Sequence, residues 1–212
     1  MNKTVYPTFK RGVDIIVSFW VLLLASPLLL IVLLFARLKM GAPVFFLQER
    51  PGKDEKPFRL IKLRTMTNET DSSGKLLPND QRINRFGQFL RKTSIDELPG
   101  LINVLRGDMS LIGPRPLLMR YLPLYTSEYR KRHLVRPGIT GLAQVNGRNK
   151  LTWESKLDLD VEYVHNLSFT VDMKILLRSF TTITSASDVD QSPEWIGMEP
   201  LDVYLKRNGG WK

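Results

Sequence analysis

Cysteine is absent from the 212 residues, which excludes disulfides, thiolate zinc sites and a cysteine nucleophile. Histidine is scarce: His133 and His165 stand far apart, so there is no histidine cluster for a metal. Any metal would be a hard cation on oxygen ligands, magnesium-like. Acidic residues are outnumbered 21 to 31 by lysine and arginine, giving a formal net charge of +10. That balance suits polyanions: nucleic acid, an anionic lipid surface or phosphorylated small molecules. No strand–GxGxxG–helix pattern and no Walker lysine occurs, so neither named phosphate loop applies. A hydrophobic share of 43% supports a packed core and excludes wholesale disorder.

One stretch lacks charge altogether. Ile15 to Ala36 reads IIVSFWVLLLASPLLLIVLLFA, about 22 residues, long enough to cross a bilayer. Arg37-Leu-Lys39 follows with no small-residue cleavage site, which argues against a signal peptide. Ser26-Pro27 lies at the midpoint, where a proline removes one backbone hydrogen bond and kinks a helix. Each arm would then span roughly 17 Å, too short to cross alone. Both flanks are basic, with Lys3, Lys10 and Arg11 before and Arg37 and Lys39 after, so the charge bias that orients a span is weak. A kinked span and a re-entrant hairpin broken at Ser26 and Pro27 stay open on these grounds.

The pattern beyond residue 40 is α/β, helix-rich with a few short strands. Residues 43–48 and the alternating Pro57-Phe-Arg-Leu-Ile-Lys-Leu-Arg64 read as strands around a turn at 50–53. Residues 68–80 form a polar loop. Helices are expected at 81–92, 94–105, 117–133 (interrupted by Pro123), 151–164 and 172–184. Residues 107–116 and 136–148 read as loops, and the tail from 185 has no clear pattern. The division is therefore a membrane segment (1–40), a globular domain (41–184) and a C-terminal tail (185–212).

Three segments carry candidate chemistry. Ser94-Ile-Asp96-Glu97-Leu-Pro99 fits a capping box, with Ser94 at the cap and Glu97 three residues on. It also places Asp96 and Glu97 at a helix start, where anions bind, and an ordinary aspartate is ionised at neutral pH and able to attack phosphorus. Gly113-Pro-Arg115-Pro116 locks an arginine between two prolines, its planar fork matched to phosphate oxygens. Arg136-Pro-Gly-Ile-Thr140-Gly-Leu-Ala-Gln144-Val-Asn146-Gly-Arg148 brings glycines, small polar side chains and arginines together, as a diphosphate-binding stretch does. A surface turn and an ordered loop are the plainer readings of these two. The run Arg130-Lys-Arg132 before His133 reads as a solvated helix face, and Trp153 and Tyr163 as core.

These segments, in order, resemble the bacterial sugar transferase family, the monotopic polyprenyl-phosphate phosphoglycosyl transferases of the small single-domain type. The likeness runs through Arg11-Gly-Val-Asp14, Ser26-Pro27, Lys62-Leu-Arg64-Thr-Met66, Leu77-Pro-Asn-Asp80, Ser94 to Pro99, Asn103-Val-Leu-Arg-Gly-Asp108-Met-Ser110, Gly113 to Pro116 and Arg136 to Arg148, over roughly residues 8 to 180. The resemblance implies a re-entrant membrane helix broken at Ser26-Pro27 and a monotopic seat on the cytoplasmic face of the bacterial inner membrane. It implies that Asp96 and Glu97 are catalytic and hold Mg2+. Asp96 would take a phosphosugar from a UDP-sugar, release UMP and pass the group to polyprenyl (undecaprenyl) phosphate. Lys62, Arg64, Arg91, Arg115, Arg136, Thr140, Gln144, Asn146 and Arg148 are then the candidate substrate-binding residues. Membrane lipids are expected partners and nucleic acid is not. A homodimer is compatible with the pattern. Gly100 stands where members often carry glutamine, and the tail matches nothing in the family, so the donor sugar stays open. The competing functions are a direct glycosyltransferase that releases UDP and a non-catalytic basic membrane adaptor.

Overall fold

The computed structural model describes residues 5–147, 151–185 and 199–211. It is helix-rich, with two small two-stranded sheets among the described residues. Helix α1 (Tyr6–Met40) runs for 35 residues with Pro27 inside it. Proline has no N–H to give the carbonyl of Leu23 four residues back. The hydroxyl of Ser26 donates to that carbonyl instead, at 2.7 Å, so the Ser-Pro pair satisfies the acceptor it frees. The central stretch of α1 is long and apolar enough to cross a membrane, with a mean hydropathy of 2.7, and only 11% of it is buried in the protein. Leu24, Leu30 and Leu34 are among its exposed side chains.

Both ends of α1 are tied to the globular body. At the N-terminal end, Arg11 donates to the carbonyls of Val104 and Leu105 at 2.6 and 3.1 Å, and Asp14 accepts from the backbone of Leu111 at 3.1 Å. Tyr6 and Lys10 both reach Asp172. At the other end Val32, Ala36 and Met40 pack with Leu63 and Leu90. Arg64 closes the helix by donating to the carbonyl of Met40, one of the acceptors a helix C-terminus leaves unpaired, and to those of Gly41 and Ala42 just beyond it.

Strands β1 (Phe45–Pro51) and β2 (Pro57–Leu63) form an antiparallel hairpin from Phe45 opposite Leu63 to Pro51 opposite Pro57. The turn is thus later than the expected 50–53. The expected helix at 81–92 is two pieces, α2 (Asn79–Arg82) and α3 (Arg85–Lys92). They divide because Asn84 leaves the helical conformation to cap Gly87, accepting its N–H at 2.8 Å. Helix α4 (Gly100–Arg106) packs against β2. Asn103, fully buried, accepts from the backbone of Ile61 and donates to the carbonyl of Arg59. It therefore clips α4 to the strand that carries Lys62.

The loops expected at 107–116 and 136–148 contain β3 (Ser110–Ile112) and β4 (Gly138–Thr140), which pair in parallel. Glycine lets the two strands approach: a Cβ on Gly113 would lie 2.5 Å from the Arg136 carbonyl. The expected helix at 117–133 is a 3-10 turn (Met119–Leu124), α5 (Ser127–Arg130) and a second 3-10 turn (Lys131–Leu134). Helix α6 (Leu142–Val145) follows β4. Helices α7 (Trp153–His165) and α8 (Phe169–Ser185) fall close to expectation, with Trp153 and Tyr163 buried as core. The tail, patternless in sequence, returns as α9 (Leu201–Asn208). Leu201 is fully buried with Tyr121, Tyr125, Trp153 and Leu157. Eight residues with one buried leucine give too little periodicity to be read from sequence.

Candidate active site

The chain between α3 and α4 holds the acidic pair. Ser94 takes the left-handed conformation, φ 56° and ψ 17°, and a single 3-10 turn (Ile95–Glu97) follows. Side chains other than glycine enter that region at a cost of roughly 1–2 kcal/mol. The flanking apolar residues account for it. Ile95 packs into the cluster of Leu63, Leu90 and Ala36, while Leu98 packs into a different cluster, around Phe58, Leu60 and Leu101. The two carboxylates are held between these anchors. The capping box expected at Ser94 does not form: Ser94 makes no side-chain cap, and Glu97 turns to Lys62 and Arg115. Two cations outbid one backbone N–H for a carboxylate.

Glu97 Oε1 accepts from Lys62 Nζ and Arg115 Nη2, each at 2.7 Å. Burial alone would raise the Glu97 carboxyl, but Arg115 and Lys62 outweigh it and hold the group well below the usual carboxylate range. Asp96 behaves oppositely. Its residue is 9% exposed, and its carboxylate accepts no hydrogen bond among the described residues. Burial, then the like charge of Glu97, push it up to about 6, against the pull of Lys62, Arg115 and Arg91. The sequence-based expectation of an ordinary aspartate is corrected by that desolvation. The group is still mostly ionised at pH 7. Two adjacent carboxylates are thus driven apart: one fixed as an anion by two cations, the other poised and unpartnered.

The surroundings are cationic. Lys62 lies on β2, and burial lowers its ammonium against the pull of Glu97. Arg91, from the last turn of α3, donates to Thr65 at 2.9 Å and acts on Asp96 by charge. Arg115 reaches in from between its two prolines. A pocket opens beside Glu97, lined by Arg50, Lys62, Arg115, Leu117 and Ile139. Arg50 was expected only in a turn. It lies instead at the end of β1, where burial and then Arg115 lower it to about 10.

Lys62, Arg91 and Arg115 therefore gather at the dyad, and other candidates do not. Arg64 is spent on closing α1. Arg136 donates to the Gly107 carbonyl at 2.8 Å, at the far end of α4, roughly 10 Å along its axis from the dyad. Thr140 pairs with Ser179, Gln144 donates to the Ile139 carbonyl, and Asn146 donates to Leu142 and accepts from Arg178. These three brace the segment that carries Ile139 to the pocket. Arg148 lies outside the described residues. The run 130–132 is a solvated face only in part: Arg130 is exposed and Lys131 half-buried, whereas Arg132 and His133 are buried. Burial, then Arg132, lower His133 to about 3, which leaves the ring neutral. Asp160, buried beside Arg132, was also missed. Its signal was present, since it falls on the helical face of Trp153, Leu157 and Val161, where a carboxylate is out of place.

The donor set suits a hard cation. Asp96 is open, and Glu97 Oε2 accepts no hydrogen bond among the described residues. No cluster of three or more acidic or histidine side chains occurs there. Two carboxylates are a donor number that magnesium accepts, with water and substrate phosphates completing its shell.

The family model for bacterial sugar transferases matches residues 5–186. Among curated proteins, the uncharacterized sugar transferase EpsL of Bacillus subtilis strain 168 is 52% identical over 183 residues, 86% of this chain and 91% of that protein. A UDP-glucose:undecaprenyl-phosphate glucose-1-phosphate transferase of Klebsiella pneumoniae is 42% identical over 79% of this chain, but only 38% of that protein's length is spanned. A protein of the same description from Caulobacter vibrioides is 38% identical over 84% of this chain and 71% of its own. The chain belongs to the bacterial sugar transferase family.

Proposed function

We propose that the chain transfers a phosphosugar from a UDP-sugar to polyprenyl phosphate through a covalent aspartyl intermediate. The observation that carries this is the split dyad: Asp96 buried with no hydrogen-bond donor among the described residues, Glu97 held by two cations at 2.7 Å. A carboxylate of depressed basicity is a poor nucleophile, and one raised to about 6 is both ionised and reactive near neutral pH.

In the proposed cycle an Asp96 oxygen attacks the sugar-bearing phosphorus. The bond from that phosphorus to the bridging oxygen breaks, and UMP leaves with the electron pair. An oxygen of polyprenyl phosphate then attacks the same phosphorus, and the Asp96 carboxylate departs. Lys62 and Arg115 orient Glu97 and offer positive charge where phosphate oxygens accumulate it. Arg91 adds charge from the α3 side. Asp96 and Glu97 are the residues that would hold Mg2+, which when bound offsets the negative charge of the diphosphate. Relatives named as UDP-glucose:undecaprenyl-phosphate glucose-1-phosphate transferases support the reaction class.

The same proposal seats the protein monotopically on the cytoplasmic face of the inner membrane, with α1 as a re-entrant segment. Tyr6, Arg11 and Asp14 at one end of α1, and Ala36 and Met40 at the other, are held by one globular body. Attachment of both ends to one body supports a segment that enters and leaves the bilayer by the same face. The apolar side chains between them are exposed, as lipid contact requires. The test is a panel of UDP-sugars with undecaprenyl phosphate. UMP release that is lost in Asp96→Asn is expected; UDP release, or full turnover by folded Asp96→Asn protein, overturns the proposal.

A further inference from the structure

We propose that Arg132, held by Asp160, is a positioning residue for the dyad: it fixes the backbone of Arg115 so that this guanidinium reaches Glu97. The inference rests on the reading of the Asp96–Glu97 site given above. Arg132 is 2% exposed and so is Asp160. Two nitrogens of Arg132 grip one carboxylate oxygen, Nε at 3.1 Å and Nη2 at 2.7 Å from Asp160 Oδ2. The same Nη2 donates to the backbone carbonyl of Arg115 at 2.6 Å. Arg115 in turn meets Glu97 Oε1 at 2.7 Å. An unbroken line of contacts thus runs from the core of α7 to the dyad.

A buried ion pair is a weak means of stabilising a fold, since apolar residues of similar volume commonly serve as well or better. The pair's distinctive product is directional. Arg115 lies between two residues that lack backbone N–H groups, so the segment has few donors with which to fix itself. A planar fork that is already oriented by Asp160 supplies the missing constraint, and a lysine ammonium has no fork. Arg50 holds the next carbonyl, of Pro116, at 3.2 Å, but it is part of the pocket rather than the core.

The test is a mutant cycle on UMP release. The variants are Arg115→Ala, the apolar swap Arg132→Met with Asp160→Leu, and all three changes together, with Tm measured for each. The swap is expected to keep Tm within a few degrees and to lower kcat roughly 10- to 100-fold, as a misplacement near 1 Å does. In the Arg115→Ala background the same swap is expected to cost less than about twofold. A purely structural role costs the same factor in both backgrounds and shows no coupling. Multiplicative losses, or full turnover by the swap, overturn the inference. Should the swap fail to fold, Arg132→Lys in both backgrounds runs the same cycle. Full turnover by Arg115→Ala would instead remove the reading of the site itself.

Discussion

Replacing the proposed nucleophile should make the protein more stable, and by an amount that depends on pH. Asp96 is 9% exposed and its carboxyl is pushed from 3.8 up to about 6 by burial and by Glu97. Below about pH 4 the group is protonated in both folded and unfolded chains and contributes nothing. Between about 4 and 6 the unfolded chain ionises first, so folding stability falls as pH rises. Above about 6 the full penalty is present. A rise of about two pKa units corresponds to an upper bound of about 3 kcal/mol. Asp96→Asn keeps the shape and removes the charge, so it should gain up to that amount at pH 8. At roughly 2–4 °C per kcal/mol for a domain of this size, the Tm should rise by several degrees. The assay is thermal unfolding of both proteins in one detergent at pH 8, 6 and 4. The gain should shrink on acidification and vanish near pH 4. An Asn variant less stable than the parent at pH 8, or a difference independent of pH, refutes the account of Asp96 as a desolvated, unpaired carboxylate.

Other consequences are independent of that one. The rate of UMP release should follow ionisation of Asp96, falling about tenfold from its plateau by pH 5 for a group titrating near 6; a flat profile down to pH 5 would contradict it. Glu97→Gln should lower the plateau and shift the acid limb to lower pH, because a like charge beside Asp96 is gone and Lys62 and Arg115 are freed. A limb displaced upward is the contrary result. Asn103→Leu should destabilise the fold by roughly 2–5 kcal/mol, since it orphans the backbone of Ile61 and Arg59, and denaturant unfolding measures this. Accessibility tags at the N-terminus and at Lys212 should both report the cytoplasmic side; opposite sides would restore a plain spanning helix.

The parts legible in sequence were those with a local physical signature. The uncharged run of α1, the alternation in β2 and the helical periods of α7 and α8 are local patterns, and each lies near its expected place. The Ser-Pro pair was legible as a place where a backbone hydrogen bond is lost, but not that α1 continues through it with the Ser26 hydroxyl on the freed carbonyl. At the site, spacing and flanking prolines singled out Asp96, Glu97 and Arg115, but a cap and a surface turn explained them as well, and only the resemblance gave them a chemical role. The local pattern misled at Ser94, where tertiary packing of Ile95 and Leu98 into separate clusters overrode a good capping box. It misled again at Arg132, because a run of three basic residues carries no mark of the buried Asp160 that waits 28 residues on. Arg64, Arg136 and Gln144 are substrate candidates through the resemblance alone. In the fold Arg64, Arg136 Nε and Gln144 Nε2 donate to backbone carbonyls at the ends of α1 and α4 and in β4, acceptors that no local pattern reveals. Strands β3 and β4 are three residues each, too short for any period to register.

The most direct measurement is the intact mass of the enzyme after incubation with UDP-sugar in the absence of polyprenyl phosphate. A shift equal to one phosphosugar, mapped by peptide sequencing to residue 96 and discharged when the lipid phosphate is added, is the predicted result. Active enzyme that turns over both substrates yet never carries that mass, or carries it on another side chain, contradicts the mechanism.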